Sequence, residues 1–229
     1  MSAADELSCA LAGRGRVLFT TRSDGNMSSV SGELAHEGTR VREHLRARIG
    51  ASRIARARQV HGAHVRRLRS AEEAADAAPL GLEADGHATA MRGVAVMVLA
   101  ADCLPVALGS DAAVAMLHAG WRGLAAGVLE EGVRALREVG GLGPIEAVIG
   151  PGAGACCYEV GPEVHDALGE RCVERAFIDL REIAAARLRA AGVSHVTQVA
   201  ACTICDERFF SHRREGERSG RQAGVAWLS

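Results

Sequence analysis

Apolar residues fall along this chain in two patterns, short continuous runs of strand length and longer stretches at helical spacing. Residues 17–21, 54–60, 65–68, 94–100, 112–117, 145–149, 194–200 and 223–228 read as strands. Residues 39–49, 123–139 and 177–190 read as helices; in the second, Leu124, Val128, Val133 and Leu136 stay close to a 3.6-residue period. The polar stretch 25–32 reads as a loop, His61-Gly62 breaks the strand before it, and the Ala/Glu/Asp-rich segment 70–86 is the best candidate for a surface loop. No tandem repeat, low-complexity block or Pro/Ser-rich linker interrupts the pattern. It therefore predicts a mixed α/β or α+β fold in a single domain over residues 1–229.

Composition narrows the class without changing that picture. A chain of 229 residues, 48% hydrophobic and 24% charged, is long enough for one substantial core and is expected to fold. Its formal charge of -1 offers no global field for nucleic acid or an anionic membrane. Every basic residue is arginine and none is lysine, which reads as the codon bias of a GC-rich genome. The longest apolar run, 94–101, is too short to cross a bilayer, and the polar opening residues do not form a leader, so a cytoplasmic location is expected. In that reducing compartment the seven cysteines would be thiols, of interest as ligands or nucleophiles.

Candidate chemistry gathers where predicted strands end in polar residues: Gln59-Val60-His61-Gly62, Ala101-Asp102-Cys103-Leu104-Pro105 and His118-Ala119-Gly120-Trp121-Arg122-Gly123. Strand ends present functional groups to clefts. Together these three offer His61, Cys103 and His118, a donor set that suits a catalytic zinc with three protein ligands and an open fourth position. They lie too far apart in sequence for a local zinc-finger loop, so only the fold can bring them together. Two ordinary histidines and a buried thiol remain the equal alternative on spacing alone.

Further motifs run in order along the chain: Phe19-Thr-Thr-Arg22, Ile149-Gly-Pro151, Tyr158-Glu-Val-Gly161, Asp179-Leu180, Cys202-Thr203 and Phe210-Ser-His-Arg-Arg214. With the three strand-end motifs they resemble the YfiH family, formerly called multicopper polyphenol oxidases or laccase-domain proteins and now described as purine nucleoside phosphorylases with adenosine deaminase activity. The resemblance runs from Phe19 nearly to the end. It implies a layered α/β/β/α domain with mixed sheets and a site in which His61, Cys103 and His118 are both catalytic and metal-binding. The implied cofactor is Zn2+, and the implied partners are purine nucleosides and phosphate. The segment 23–46 is shorter than the family's pattern and lacks its Leu-Asn and Asn-Arg features.

Deamination would use zinc to lower the pKa of a bound water; the His-x-Glu motif of other nucleoside deaminases is missing here. Phosphorolysis needs a cation for phosphate, and a forked guanidinium suits it: Arg122 first, Arg22 second. Asp102 would orient a ligand or act as a base, or else simply accept backbone amides. Tyr158 is the better aromatic for a purine pocket, Phe209 and Phe210 being expected in the core.

Other readings stand beside this one. Cys103 could be a thiolate nucleophile, or the zinc site a hydrolase editing peptidoglycan precursors. A copper-dependent polyphenol oxidase is weaker, because no His-x-His pair exists, although Cu2+ would bind such a site in vitro by the Irving–Williams order. A non-catalytic metal-binding protein is the last. Cys202-Thr-Ile-Cys205 has knuckle spacing but no second Cys-x-x-Cys to complete it, so Cys205 reads as incidental. Gly150-Pro-Gly-Ala-Gly154, beside Cys156-Cys157, lacks Gly-Lys-Ser/Thr and is no P-loop.

Overall fold

A computed structural model describes residues 7–75 and 81–229. Strands β1 (Ser8–Ala10) and β2 (Gly15–Phe19) lead to helix α1 (Gly38–Arg48). Strands β3 (Arg53–Ala55), β4 (Val65–Leu68), β5 (Gly86–Thr89), β6 (Val94–Ala100), β7 (Leu104–Gly109) and β8 (Val114–Ala119) follow. Helices α2 (Trp121–Ala126) and α3 (Val128–Glu138) precede β9 (Glu146–Ile149) and β10 (Glu159–Val160). Then come α4 (Pro162–Leu168), β11 (Ala176–Phe177), α5 (Leu180–Ala190), β12 (His195–Gln198), α6 (His212–Glu215) and β13 (Gln222–Leu228).

The long strands form two mixed sheets. One has the order β1-β2-β13-β6-β3, antiparallel except for β3 beside β6. The other has the order β12-β9-β7-β8-β5-β4, antiparallel at its centre and parallel at both edges. Side-chain alternation shows how they stack. On β6, Val94, Val96 and Val98, together with Val17 and Phe19 of β2 in the same sheet, face Met116 of β8 across the space between the sheets, whereas Ala95 and Met97 pack with Leu45 of α1 outside. On β8, Ala115 and Leu117 turn the other way, onto Leu129 and Leu136 of α3 and Leu188 of α5. Both sheets are thus covered on both faces, which is why β6, β7 and β8 are apolar at almost every position. The layers are α/β/β/α, as the resemblance implied.

Several boundaries differ from the sequence reading, each for a local reason. The helix expected over 123–139 is two helices, broken at Gly127, whose φ of 88° closes α2 and opens α3. The helix expected from 177 starts at Leu180, because Asp179 Oδ1 accepts the amides of Arg181 and Glu182 at 2.9 and 3.2 Å and Phe177 belongs to β11. The strand expected over 54–60 stops at Ala55; beyond it Gln59 uses its side-chain amide as a strand would its backbone, donating to Leu99 O at 2.7 Å and accepting from Leu99 N at 2.8 Å. Strand β7 was concealed by Pro105, which lies outside the β7–β9 ladder beginning at Val106↔Ile149. The surface loop expected over 70–86 ends in buried Asp85 and the first residue of β5, both in the interior; its residues 76–80 lie outside those described, as do residues 1–6 of the opening stretch.

A left-handed backbone at Gly127 carries its own prediction. Gly127→Ala is expected to lower unfolding free energy by about 1–2 kcal/mol, read as a drop in thermal midpoint, since any Cβ is disfavoured at that φ. Among the described residues no helix is long and apolar enough to cross a membrane.

Candidate metal and active site

The loop after β3 and the end of β8 converge on one carboxylate. Asp85, fully buried just ahead of β5, accepts the amides of Val60 (3.1 Å) and Gly62 (2.7 Å) on Oδ2. Its Oδ1 accepts the amide of His61 (2.9 Å) and pairs with Nδ1 of His118 (2.8 Å). Its own carbonyl accepts the amide of His118 at 2.7 Å. One side chain therefore positions both histidines, and it holds His61 at a φ of 60°, a backbone conformation that L-residues rarely adopt.

Cys103 is set by its neighbour. Asp102, with φ 86°, is anchored by Thr203 Oγ1 to Oδ1 and the amide of Arg213 to Oδ2, both at 2.7 Å, while its carbonyl accepts the amide of Ala153. Those bonds offset a backbone strain on the order of 1–2 kcal/mol. Asp102 thus has both carboxylate oxygens engaged, a backbone amide among the donors. Gly120, between β8 and α2, leaves room for the sulfur: a Cβ there would stand 2.7 Å from Cys103 Sγ and 3.3 Å from His61 Cδ2. Gly120→Ala is expected to weaken metal retention at this site with little change in secondary structure, measured by chelator competition and circular dichroism.

The result brings the three predicted ligands together. A nitrogen of His61, a nitrogen of His118 and Cys103 Sγ lie within 4.8 Å of one another, and the imidazole rings meet edge to face with centroids 4.9 Å apart. Burial pushes the Cys103 thiol up, but the charge of His118 and hydrogen bonds from His118 and His61 outweigh it, bringing the group down to about 6. Burial disfavours protonated His118, yet the Cys103 charge and the bond to Asp85 raise it overall. Asp85 resists the upward effect of burial through His118 and the amides of Gly62 and Val60, and stays below the usual carboxylate range. The donors fit a divalent metal. A bond from Nδ1 of His118 to a carboxylate is the arrangement that fixes a metal-binding imidazole and leaves Nε2 for the ion.

The remaining predicted residues are distributed unevenly. Tyr158 is buried, and its hydroxyl is raised by burial and then by the Cys103 charge; Arg213 stacks over its ring at 4.7 Å. Arg122 is exposed, with its guanidinium 4.2 Å from the Trp121 ring. Arg22 is drawn elsewhere: it donates to Phe209 O at 3.0 Å, pairs with Glu215 and stacks on Phe210. It also lines a cavity of about 860 Å³ with Leu18, Asp24, Arg48, Arg208 and Trp227, which contains none of His61, Cys103 or His118. Phe209 is in the core as expected, whereas Phe210 is only half-buried, its ring covered by Arg22.

Sequence reasoning missed Asp85, Arg213 and Arg221. Burial lowers the Arg221 guanidinium while the charges of Cys103 and Asp102 favour it, so it shares their surroundings. Arg213 was visible only as a member of the Phe210-Ser-His-Arg-Arg214 motif, with no role attached, and Arg221 only as part of an arginine-rich tail; Asp85 carried no signal beyond preceding a glycine.

The family described as multi-copper polyphenol oxidoreductase laccase matches residues 15–229. A purine nucleoside phosphorylase of Xylella fastidiosa strain Temecula1 is 38% identical over 227 residues, covering 89% of this chain and 84% of the relative. Purine nucleoside phosphorylase YfiH of Escherichia coli K12 is 37% identical over 185 residues, covering 74% and 72%. Among solved structures, Neisseria meningitidis protein NMB0706 superposes with a TM-score of 0.83 at 30% identity, covering 97% of this chain and 99% of that one. Bacillus licheniformis YfiH gives 0.82 at 25%, covering 94% and 93%.

Proposed function

The chain belongs to the multi-copper polyphenol oxidoreductase laccase family, which includes the YfiH proteins, and on that premise we propose that it is a zinc-dependent purine nucleoside phosphorylase. It takes adenosine, inosine, guanosine or methylthioadenosine with phosphate to the base and ribose-1-phosphate, and deaminates adenosine as a second activity. The observation that carries this reading is the convergence of His61, Cys103 and His118 over Asp85.

Those three residues would hold Zn2+, which when bound supplies Lewis-acid polarisation of an oxygen presented to it. The chain's own groups do the rest. Asp85 keeps the Nδ1 proton of His118 in place and so keeps Nε2 turned to the site. Arg122 offers a forked donor to phosphate, and Arg213 and Arg221 add positive charge near Cys103 and Asp102. Tyr158 forms a flat wall for the base. Asp102, with both oxygens bonded, is a positioning residue for Cys103.

The test is turnover of inosine and adenosine with phosphate by the purified protein, before and after chelation and after Zn2+ is restored. Hypoxanthine, adenine and ribose-1-phosphate are expected only with metal present. Absence of base release, or a rate untouched by chelation, overturns the reading. One observation favours a second: Cys103, His118 and Asp85 also form the nucleophile, base and orienting carboxylate of a cysteine hydrolase. That mechanism predicts turnover which survives chelation and is lost on thiol alkylation.

A further inference from the structure

The loop after β9 and the turn after β12 each carry two cysteines, and the fold presses them together. Cys156 and Cys157 lie on one turn, Cys202 and Cys205 on the other, and the four sulfur atoms lie within 4.8 Å of one another. This corrects the reading of Cys205 as incidental: the partner of its Cys-x-x-Cys is not a second Cys-x-x-Cys but an adjacent pair. We propose that Cys156, Cys157, Cys202 and Cys205 form a second metal site, a tetrathiolate centre that binds Zn2+ and braces the turn beneath Asp102.

Geometry and chemistry support the assignment together. A tetrahedral ion with Zn–S bonds of about 2.3 Å spaces its sulfurs about 3.8 Å apart; Cys156 Sγ and Cys205 Sγ stand 3.7 Å apart. The sulfur of Cys202 accepts the amide of Gly154 at 3.2 Å, an outer hydrogen bond of the kind that orients a metal ligand. Four thiolates around one divalent ion leave a net charge of about −2, and two guanidinium groups flank the turn that would carry it. Arg181 donates to Val199 O and Ala201 O at 3.0 and 3.1 Å, and Arg214 to Thr203 O and Ile204 O at 2.8 Å. Cys156 and Cys205 are exposed, which gives an ion a way in.

The two turns are joined to each other and to the first site. Gly152 bridges Cys202, the amide of Thr203 donates to Gly152 O at 3.0 Å, and Thr203 Oγ1 donates to Asp102. A closed four-sulfur site has no open position, so its work is structural: it fixes the strand-end turns that hold Asp102 in its left-handed conformation.

Elemental analysis of the full chain purified under reducing conditions tests this. Wild type is expected to carry two zinc ions, Cys156→Ser/Cys205→Ser one, and Cys103→Ala one. In the Cys103→Ala protein chelation should lower the thermal midpoint, and Co2+ loading should give strong sulfur-to-cobalt charge-transfer absorption that is lost when Cys156→Ser and Cys205→Ser are added to the same protein. The proposal fails if wild type and the double variant carry equal zinc, if the retained ion is iron, or if peptide mass spectrometry finds these cysteines paired as disulfides. Because Cys103→Ala itself is expected to keep one zinc ion, the result stands apart from the fate of the phosphorylase reading.

Discussion

Replacing Cys103 by alanine is expected to remove the ion held with His61 and His118 and to slow nucleoside phosphorolysis by roughly 100- to 10,000-fold. That range is what several kcal/mol of lost electrostatic stabilisation would do to a rate. The two imidazoles that remain offer only two donors, fewer than a catalytic zinc site needs. Fold should be preserved, because Cys103 is half-buried at a strand end and the bonds that set its backbone belong to Asp102. The measurement is ribose-1-phosphate release beside zinc content, with circular dichroism as the control. Equal product from both proteins would assign the activity to a contaminant or to another site. Loss of activity with retained zinc at the first site would favour the thiolate mechanism.

Asp85 carries the second large effect, and here stability and function fall together. Asp85→Ala strips the acceptor from three backbone amides and from His118 Nδ1 in a fully buried place. Leaving such a network unpaired costs on the order of 3–5 kcal/mol. Asp85→Asn is no rescue, because each carboxylate oxygen receives two donors, and an amide nitrogen in either position would face two N–H groups. Metal affinity should drop about 10- to 100-fold in Asp85→Asn, as for the loss of a carboxylate behind a metal-binding histidine. The pH profile gives a separate check. Since folding holds this carboxyl below its ordinary range, its contribution is complete at neutral pH and disappears as pH falls through the depressed folded value. Wild type should therefore lose more stability than Asp85→Asn on acidification. Parallel acid limbs in the two proteins would remove Asp85 from this role.

What the residue pattern revealed follows from what hydropathy can see. The central strands β6 and β8 are apolar enough to announce themselves, and each delivers a reactive residue at or just past its end, so Cys103 and His118 were legible. The layering came from motif resemblance, because an apolar run does not say which sheet it joins. Asp85 was hidden by its setting: a segment rich in Ala, Glu and Asp looks solvated, and only pairing of β5 with β8 draws its last residues inside. β5 itself reads Gly-His-Ala-Thr and has no apolar signature. The four-cysteine cluster escaped for a different reason, its halves being brought together by turns that follow β9 and β12, which pair only across a long connection. Arg22 matched its motif yet is tied to Glu215, a contact set by the folding of a distant helix.

Strand β13 occupies the middle of its sheet, hydrogen-bonded to β2 on one side and β6 on the other. During vectorial synthesis, then, β1 and β2 must wait beside β6 with an unfilled slot until residues 222–228 leave the ribosome. The order of emergence makes closure of this sheet a late, long-range event. Until that strand inserts, β2 and β6 each keep one edge with unpaired backbone groups, and the last strand made is the one that closes the sheet.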